Sequence, residues 1–251
     1  MAQTTHTFSE ELVEKLRTAR RVTVLTGAGI SAESGIPTFR DSQTGLWASY
    51  KPAELATPEA FQNDPLLVWE WYRWRMGLVQ HAEPNPGHIA LAVMEARTPV
   101  FTLITQNIDG LHRKAGSRNI IELHGNLFSA RCERDGRHFE VWENVPGAVP
   151  HCPECGGRLR PDVVWFGESL PHRALLTALQ ASQECDLFFS IGTSGVVEPA
   201  ASLPYEAIRA HGDVVEINPQ PTPLSVHARY SVAAPAGIAL PRLVDAAWPR
   251  E

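Results

Sequence analysis

Three short segments concentrate the residue types that can do chemistry near neutral pH. Gln106, Asn107 and Asp109 close the run VFTLITQNID, and His124 closes NIIELHG. Carboxamides and a carboxylate at the mouth of a crevice can hold another carboxamide and sugar hydroxyls, although such a cluster can equally cap its own loop. An imidazole with an ordinary pKa of about 6.5 can take a proton at neutral pH, although a lone histidine is more often structural. The third segment, Gly27-Ala28-Gly29-Ile30-Ser31-Ala32, fits G-x-G-x-x-A directly after the apolar run RVTVLT. Its glycines let backbone approach a pyrophosphate, and the turn predicts a helix behind it presenting free N–H groups. The acidic residue that hydride-transfer enzymes place about 20 residues further on has no counterpart. Instead ESGIPTFRD brings Phe39, Arg40 and Asp41 together, a loop suited to covering a reactive centre.

The stretch WEWYRWRMG sets Arg73 and Arg75 among aromatic rings. Asp64-Pro65 predicts a helix start, with Asp as N-cap and Pro at the first helical position. Leu67, Trp71, Trp74 and Leu78 then follow one helix face, and Val68, Tyr72, Arg75 and Val79 the stripe beside it. Tyr72 and Arg75, three apart, are neighbours on that stripe. A phenol beside a guanidinium makes a carboxylate receptor, whereas a snorkelling Arg above a core Tyr is the plainer reading. Arg73 is expected on the surface.

Cys152-Pro-Glu-Cys155-Gly-Gly has the spacing of a zinc knuckle. Upstream, Cys132-Glu-Arg-Asp135 offers one thiolate and a carboxylate, with His138 and His151 as other candidate ligands. Cys185 reads as a buried core residue.

The elements that must position these groups alternate. Strands are expected over 21–29, 100–107, 119–125, 186–194 and 213–220, with helices from Ser9, over 86–97, 171–180 and 199–210. That alternation predicts an α/β fold, a Rossmann-like parallel sheet covered on both faces, with ligands beyond the strands' carboxyl ends. Segments 42–85 and 126–160 break the pattern and are expected to form a smaller inserted lobe, part helical and part zinc-ribbon-like. The Rossmann-like lobe would then comprise about 1–41, 86–125 and 161–251 of a single catalytic domain. A formal net charge of −6 opposes a broad nucleic-acid footprint. The first residues lack the basic and apolar regions of a secretory signal, and no apolar run approaches a membrane span, so a cytoplasmic protein is expected. Nothing in the chain demands more than a monomer.

GAGISAESGIPTFRD, TQNIDGLH, ELHG, RPDVVWFGE, GTS and EIN occur in the order found in sirtuins, and the chain resembles that family over about residues 23–243. The resemblance implies an NAD-dependent protein-lysine deacylase. It places NAD against Gly27, Ala28, Gly29, Ile30, Ser31, Thr38, Phe39, Arg40, Gln106, Asn107, Ile108 and Asp109. The adenine half would lie over Gly192, Thr193, Ser194 and Asn218, and Pro219, Gln220 and Ala236 are implied as further cofactor contacts. It implies catalytic roles for Asn107, Asp109 and His124: the acyl oxygen attacks the nicotinamide ribose, and His124 deprotonates a ribose hydroxyl. Nicotinamide and 2′-O-acyl-ADP-ribose would be the products, and an acylated lysine on a protein the partner. Val164, Trp165, Phe166 and Gly167 would line the lysine tunnel and pair with substrate backbone, although a buried strand is the plainer reading. Tyr72 and Arg75 match the Tyr-x-x-Arg of sirtuins that remove succinyl and malonyl groups, and the small Ala53 and Ala56 would leave room for the longer chain. Structural zinc is implied at Cys132, Cys152 and Cys155, with Asp135 where the family has its fourth cysteine. A mono-ADP-ribosyltransferase and a non-catalytic NAD sensor are the rival readings. The phenol–guanidinium pair disfavours the first and the intact Asn107, Asp109 and His124 the second.

Overall fold

The computed structural model describes residues 8–37 and 51–249. Thr38, Phe39, Arg40 and Asp41 lie outside the described residues, as does the side chain of Ala53.

Six parallel strands form the main sheet: β1 (Arg21–Thr26), β2 (Val100–Thr105), β3 (Ile120–Glu122), β7 (Leu187–Ile191), β8 (Asp213–Ile217) and β9 (Tyr230–Val232). Their order is β3-β2-β1-β7-β8-β9, and every neighbouring pair is parallel. This is the doubly wound order, whose direction of winding reverses between β1 and β7. Alternation along the strands fills two cores. Val22, Val24, Leu187 and Phe189 face the helices α1 (Glu10–Thr18), α5 (Pro86–Arg97) and α9 (Ala236–Ala247). Leu25, Ile104 and Phe188 face α7 (His172–Glu184) and α8 (Leu203–Arg209) on the other side. Ser9 caps α1 by accepting from the Leu12 N–H, and Leu12 and Leu16 bury its apolar face. Cys185 is buried at the end of α7, where its thiol donates to the Ser182 carbonyl.

A third core joins α3 (Pro58–Asn63) and α4 (Pro65–Gln80) to an antiparallel sheet of β5 (His138–Phe139), β4 (Gly125–Cys132) and β6 (Leu159–Val163). Asp64 caps α4 through the Leu67 N–H, with Pro65 at its start. The buried face of α4 is Val68, Trp69, Tyr72, Met76 and Val79 with Trp71, while Leu78 is exposed. The stripe carrying Tyr72 is therefore central to the packing rather than beside it. Arg73, expected on the surface, is half-buried. Its guanidinium pairs with Glu70 and donates to Asn144 and the Ala148 carbonyl, tying α4 to the loop after β5. Among the described residues no helix is long and apolar enough to cross a membrane.

The ends of β1 and β7 meet as bare backbone. Gly27 N–H donates to the Ile191 carbonyl and Gly29 N–H to Gly192, at 3.0 and 2.8 Å. A Cβ on Gly29 would stand 2.7 Å from the Gly192 Cα and carbonyl oxygen, and Gly192 itself has φ +59°. Gly29→Ala must therefore push the two strand ends apart, and a loss of about 1–3 kcal/mol in urea unfolding is expected.

Candidate active site

The crevice lies where the winding reverses. After β1 the chain enters two 3-10 turns, Ala28–Ile30 and Ala32–Ser34, in place of the expected helix. Asn85 fixes them, because its amide donates to the Ile30 carbonyl and the Ser34 hydroxyl. The facing wall is β7 and the loop after it. Gln106 Nε2 donates to Thr193 Oγ1 at 3.1 Å, and Asn218 Nδ2 to the Thr193 carbonyl at 2.8 Å. These bonds bring the strand-end groups of β2, β7 and β8 together. Ser194 is half-buried beside them, Pro219 and Gln220 are exposed, and Ala236 is buried at the start of α9. Glu33 accepts from the Gly237 N–H at 2.7 Å, so a carboxylate on the turn after β1 meets the positive end of α9.

Beneath the crevice runs a buried polar network. Ser31 Oγ donates to Asp109 Oδ2 at 2.7 Å and accepts from Asn107 Nδ2 at 3.2 Å. The same amide of Asn107 reaches the Gly27 carbonyl, and Asp109 Oδ1 accepts from the Leu111 N–H. Asp109 is thus locked from both oxygens and Asn107 is oriented by the turn it faces, while Ile108 is half-buried between them. His88, the third helical residue of the capping box begun by Asn85, lies 3.5 Å from Ser31 Oγ. His112 bonds Thr26 Oγ1, which itself donates to Thr105. Burial pushes His88 down to about 4 and His112 to about 3, so both stay neutral at pH 7. Sequence reasoning missed Asn85, His88 and His112. The N-P-G-H spacing of Asn85 to His88 was the available signal, since it is a capping box with Pro at the first position.

His124 stands where the chain crosses from the main sheet into β4. Its Nδ1 lies 2.8 Å from the Gln106 carbonyl. A carbonyl only accepts, so Nδ1 carries the proton and Nε2 keeps its lone pair. Burial pulls its pKa below 6.5, opposed by the bond to Gln106. Next to it Gly125 has φ +81°, and a Cβ there would fall 2.0 Å from the Asp162 carbonyl oxygen. Only glycine lets the chain turn so close to β6.

The run from Val163 to Glu168 is not an extended strand throughout. β6 ends at Val163, and Gly167, with φ +85°, turns the chain. The Val164 N–H donates to the His124 carbonyl and the Phe166 N–H to that of Ala56, both at 2.9 Å. Phe166 is exposed, whereas Trp165 is buried and donates its indole N–H to the Tyr72 hydroxyl at 2.9 Å. Arg160 makes two bonds to Glu168, at 2.6 and 2.8 Å, and its Cζ lies 3.4 Å from the Trp165 ring centroid. Burial raises the Tyr72 pKa to about 12, so the phenol stays protonated. Burial also lowers that of Arg75, opposed by Tyr72, and the Arg75 Cζ lies 5.0 Å from the centroid of Trp71.

Farther out, ligand atoms of Cys132, Asp135, Cys152 and Cys155 all lie within 4.8 Å of one another. At about 2.3 Å from zinc, two thiolates of a tetrahedral site are about 3.8 Å apart. The 3.5 Å between the Cys132 and Cys155 sulfurs is close to that spacing. His138 instead bonds Asp162, and His151 lies outside the group. Three thiolates and one carboxylate fit a single ion.

Residues 27–199 match the model of the Sir2 family. The chain is 48% identical over 248 residues to NAD-dependent protein deacylase 1 of Pseudomonas aeruginosa, covering 95% of this chain and 98% of that one. To the NAD-dependent protein deacylase of Thermus thermophilus it is 52% identical over 237 residues, 92% of each chain. Among solved structures, a Sir2 homolog–NAD complex superposes with a TM-score of 0.91 at 46% identity, over 96% of this chain and 94% of that one. A Sir2 complex with a p53 peptide and NAD+ superposes with a TM-score of 0.83 at 32% identity, over 95% and 98% of the two chains. With its reversal-point glycines, its strand-end amides and its crossing histidine in this arrangement, the chain belongs to the Sir2 family.

Proposed function

We propose that this protein is an NAD-dependent protein-lysine deacylase that acts on acetyl groups and more efficiently on acidic acyl groups such as succinyl and malonyl. The observation that carries the reading is His124, with its Nδ1 proton committed to Gln106 and its Nε2 lone pair available. It stands beside strand-end carboxamides suited to a carboxamide and to ribose hydroxyls. The relatives named as NAD-dependent deacylases support the activity.

NAD supplies a glycosidic bond whose cleavage makes the ribose carbon electrophilic. The N–H groups of Gly27, Gly29, Ile30 and Ser31 already donate within the protein, so the turn Gly27–Ser31 would serve NAD by close backbone approach, and Thr193, Ser194 and Asn218 would hold its adenosine half. Asn107, oriented by Gly27 and Ser31, would bind the carboxamide end. Asp109 keeps Ser31 fixed and so maintains that orientation. His124 Nε2 takes the proton of a ribose hydroxyl. Val164 and Phe166 commit their N–H groups to His124 and Ala56, holding the turn against the base. The exposed Phe166 ring and the chain beyond it can meet a substrate peptide. Tyr72 and Arg75 would receive the acyl carboxylate, and the nearby Ala56 leaves that region small. The cysteine cluster with Asp135 would hold a structural zinc.

With matched peptides, Arg75→Met is expected to lower the ratio of succinyl to acetyl kcat/KM about tenfold or more, the worth of a charge-assisted hydrogen bond. Equal loss on both substrates would refute acid recognition. Because burial lowers the pKa of His124, its neutral form dominates at pH 7 and is lost as pH falls through that lowered value. The acid limb of kcat/KM should therefore have its midpoint below about 6.5. Metal analysis of protein purified without added zinc should find one zinc per chain, and Asp135→Ala should lose most of it on dialysis.

A further inference from the structure

We infer that Trp165 is a specificity-determining positioning residue: its indole N–H turns the Tyr72 phenol into a donor aimed at an acidic acyl group. The inference rests on the proposed acid-binding role of Tyr72 and Arg75 and extends it to a side chain on a different element.

The indole of Trp165 can only donate, and it donates to the Tyr72 oxygen at 2.9 Å. With one acceptor position of its oxygen taken by the indole, the phenol still has its single proton to donate. A guanidinium has donors alone, so Arg75 cannot accept that proton. A carboxylate is acceptor-only and matches both the phenol and Arg75, whereas the methyl end of an acetyl group accepts nothing. The phenol pKa, raised by burial to about 12, keeps the proton in place.

Trp165 is itself held from two sides. Arg160 stacks on its ring, and the Phe61 ring lies 5.3 Å away, tilted by 46°. Arg160 is fixed in turn by Glu168 and the Val163 carbonyl, and Glu168 also accepts the Trp165 backbone N–H. The indole cannot swing away without breaking this clamp, so the donor to the Tyr72 oxygen is held in place by the turn after β6.

The test is a double-mutant cycle on matched succinyl and acetyl peptides. Trp165→Phe keeps an aromatic ring for Arg160 and removes the N–H. It should lower the succinyl-to-acetyl ratio of kcat/KM about three- to tenfold, the worth of one hydrogen bond, through KM more than kcat. In a Tyr72→Phe background the same change should leave that ratio where Tyr72→Phe alone puts it. If Trp165→Phe does not fold, β-(3-benzothienyl)alanine at position 165, which replaces the N–H with sulfur at nearly constant shape, gives the same readout. Equal loss on both peptides, or an undiminished effect without the Tyr72 hydroxyl, would overturn the inference. Arg75→Met separates the two levels. Selective loss there without any at Trp165 defeats this inference alone, whereas no selectivity at Arg75 defeats the acid-binding reading beneath it.

Discussion

The close approach of Gly27 and Gly29 to Gly192 is the contact on which the rest of the structure depends. At that point the chain leaving β1 donates two backbone hydrogen bonds to the end of β7, with no side chain between them. The doubly wound order would open a crevice at the reversal with many residue types. Only glycines let its two walls come close enough for Gln106 to reach Thr193 across it. The turn that follows also delivers Ser31 to Asp109 and Asn107. The floor of the site is therefore set by backbone geometry first and by polar side chains second.

The second constraint is the crossing at His124 and Gly125. There the main sheet passes its chain to the antiparallel sheet, and the carbonyl of His124 accepts from Val164. The turn containing Trp165 is thus fastened at one end to His124 and at the other to Ala56 and Glu168. Trp165 in turn touches Tyr72 on α4. On the proposed reading, proton abstraction and acyl recognition share one short segment, and a change in packing at α4 or β6 would be felt at both.

Much of this could be read in the residues, for reasons that differ from part to part. Strands β1, β2, β7 and β8 are buried on both faces and so appear as continuous apolar runs bounded by turn residues. Capped helices such as α1 and α4 announce themselves through Ser9 and Asp64-Pro65. β9 stayed hidden because Tyr230, Ser231 and Val232 form a short edge strand that is only partly buried. β4 was obscured by the irregularity between Gly125 and Ala130, which breaks its alternation. The pattern alone centres the α4 face one stripe away, because Trp and Leu are more apolar than the Tyr72 stripe that the fold buries. Arg73 reads as surface in a one-dimensional pattern, and only the loop carrying Asn144 and Ala148 reveals its partners. Asn85, His88 and His112 support the site from beneath, and no local pattern says that a buried histidine lies under a ligand crevice.

The most direct test of the central claim is the fate of the ribose. Wild-type protein, NAD and a succinyl-lysine peptide would be incubated and both products weighed by mass spectrometry. The account predicts one succinyl-ADP-ribose and one nicotinamide for every lysine freed, with the protein itself unmodified. Nicotinamide release accompanied by ADP-ribose attached to protein, with the peptide still acylated, would contradict it.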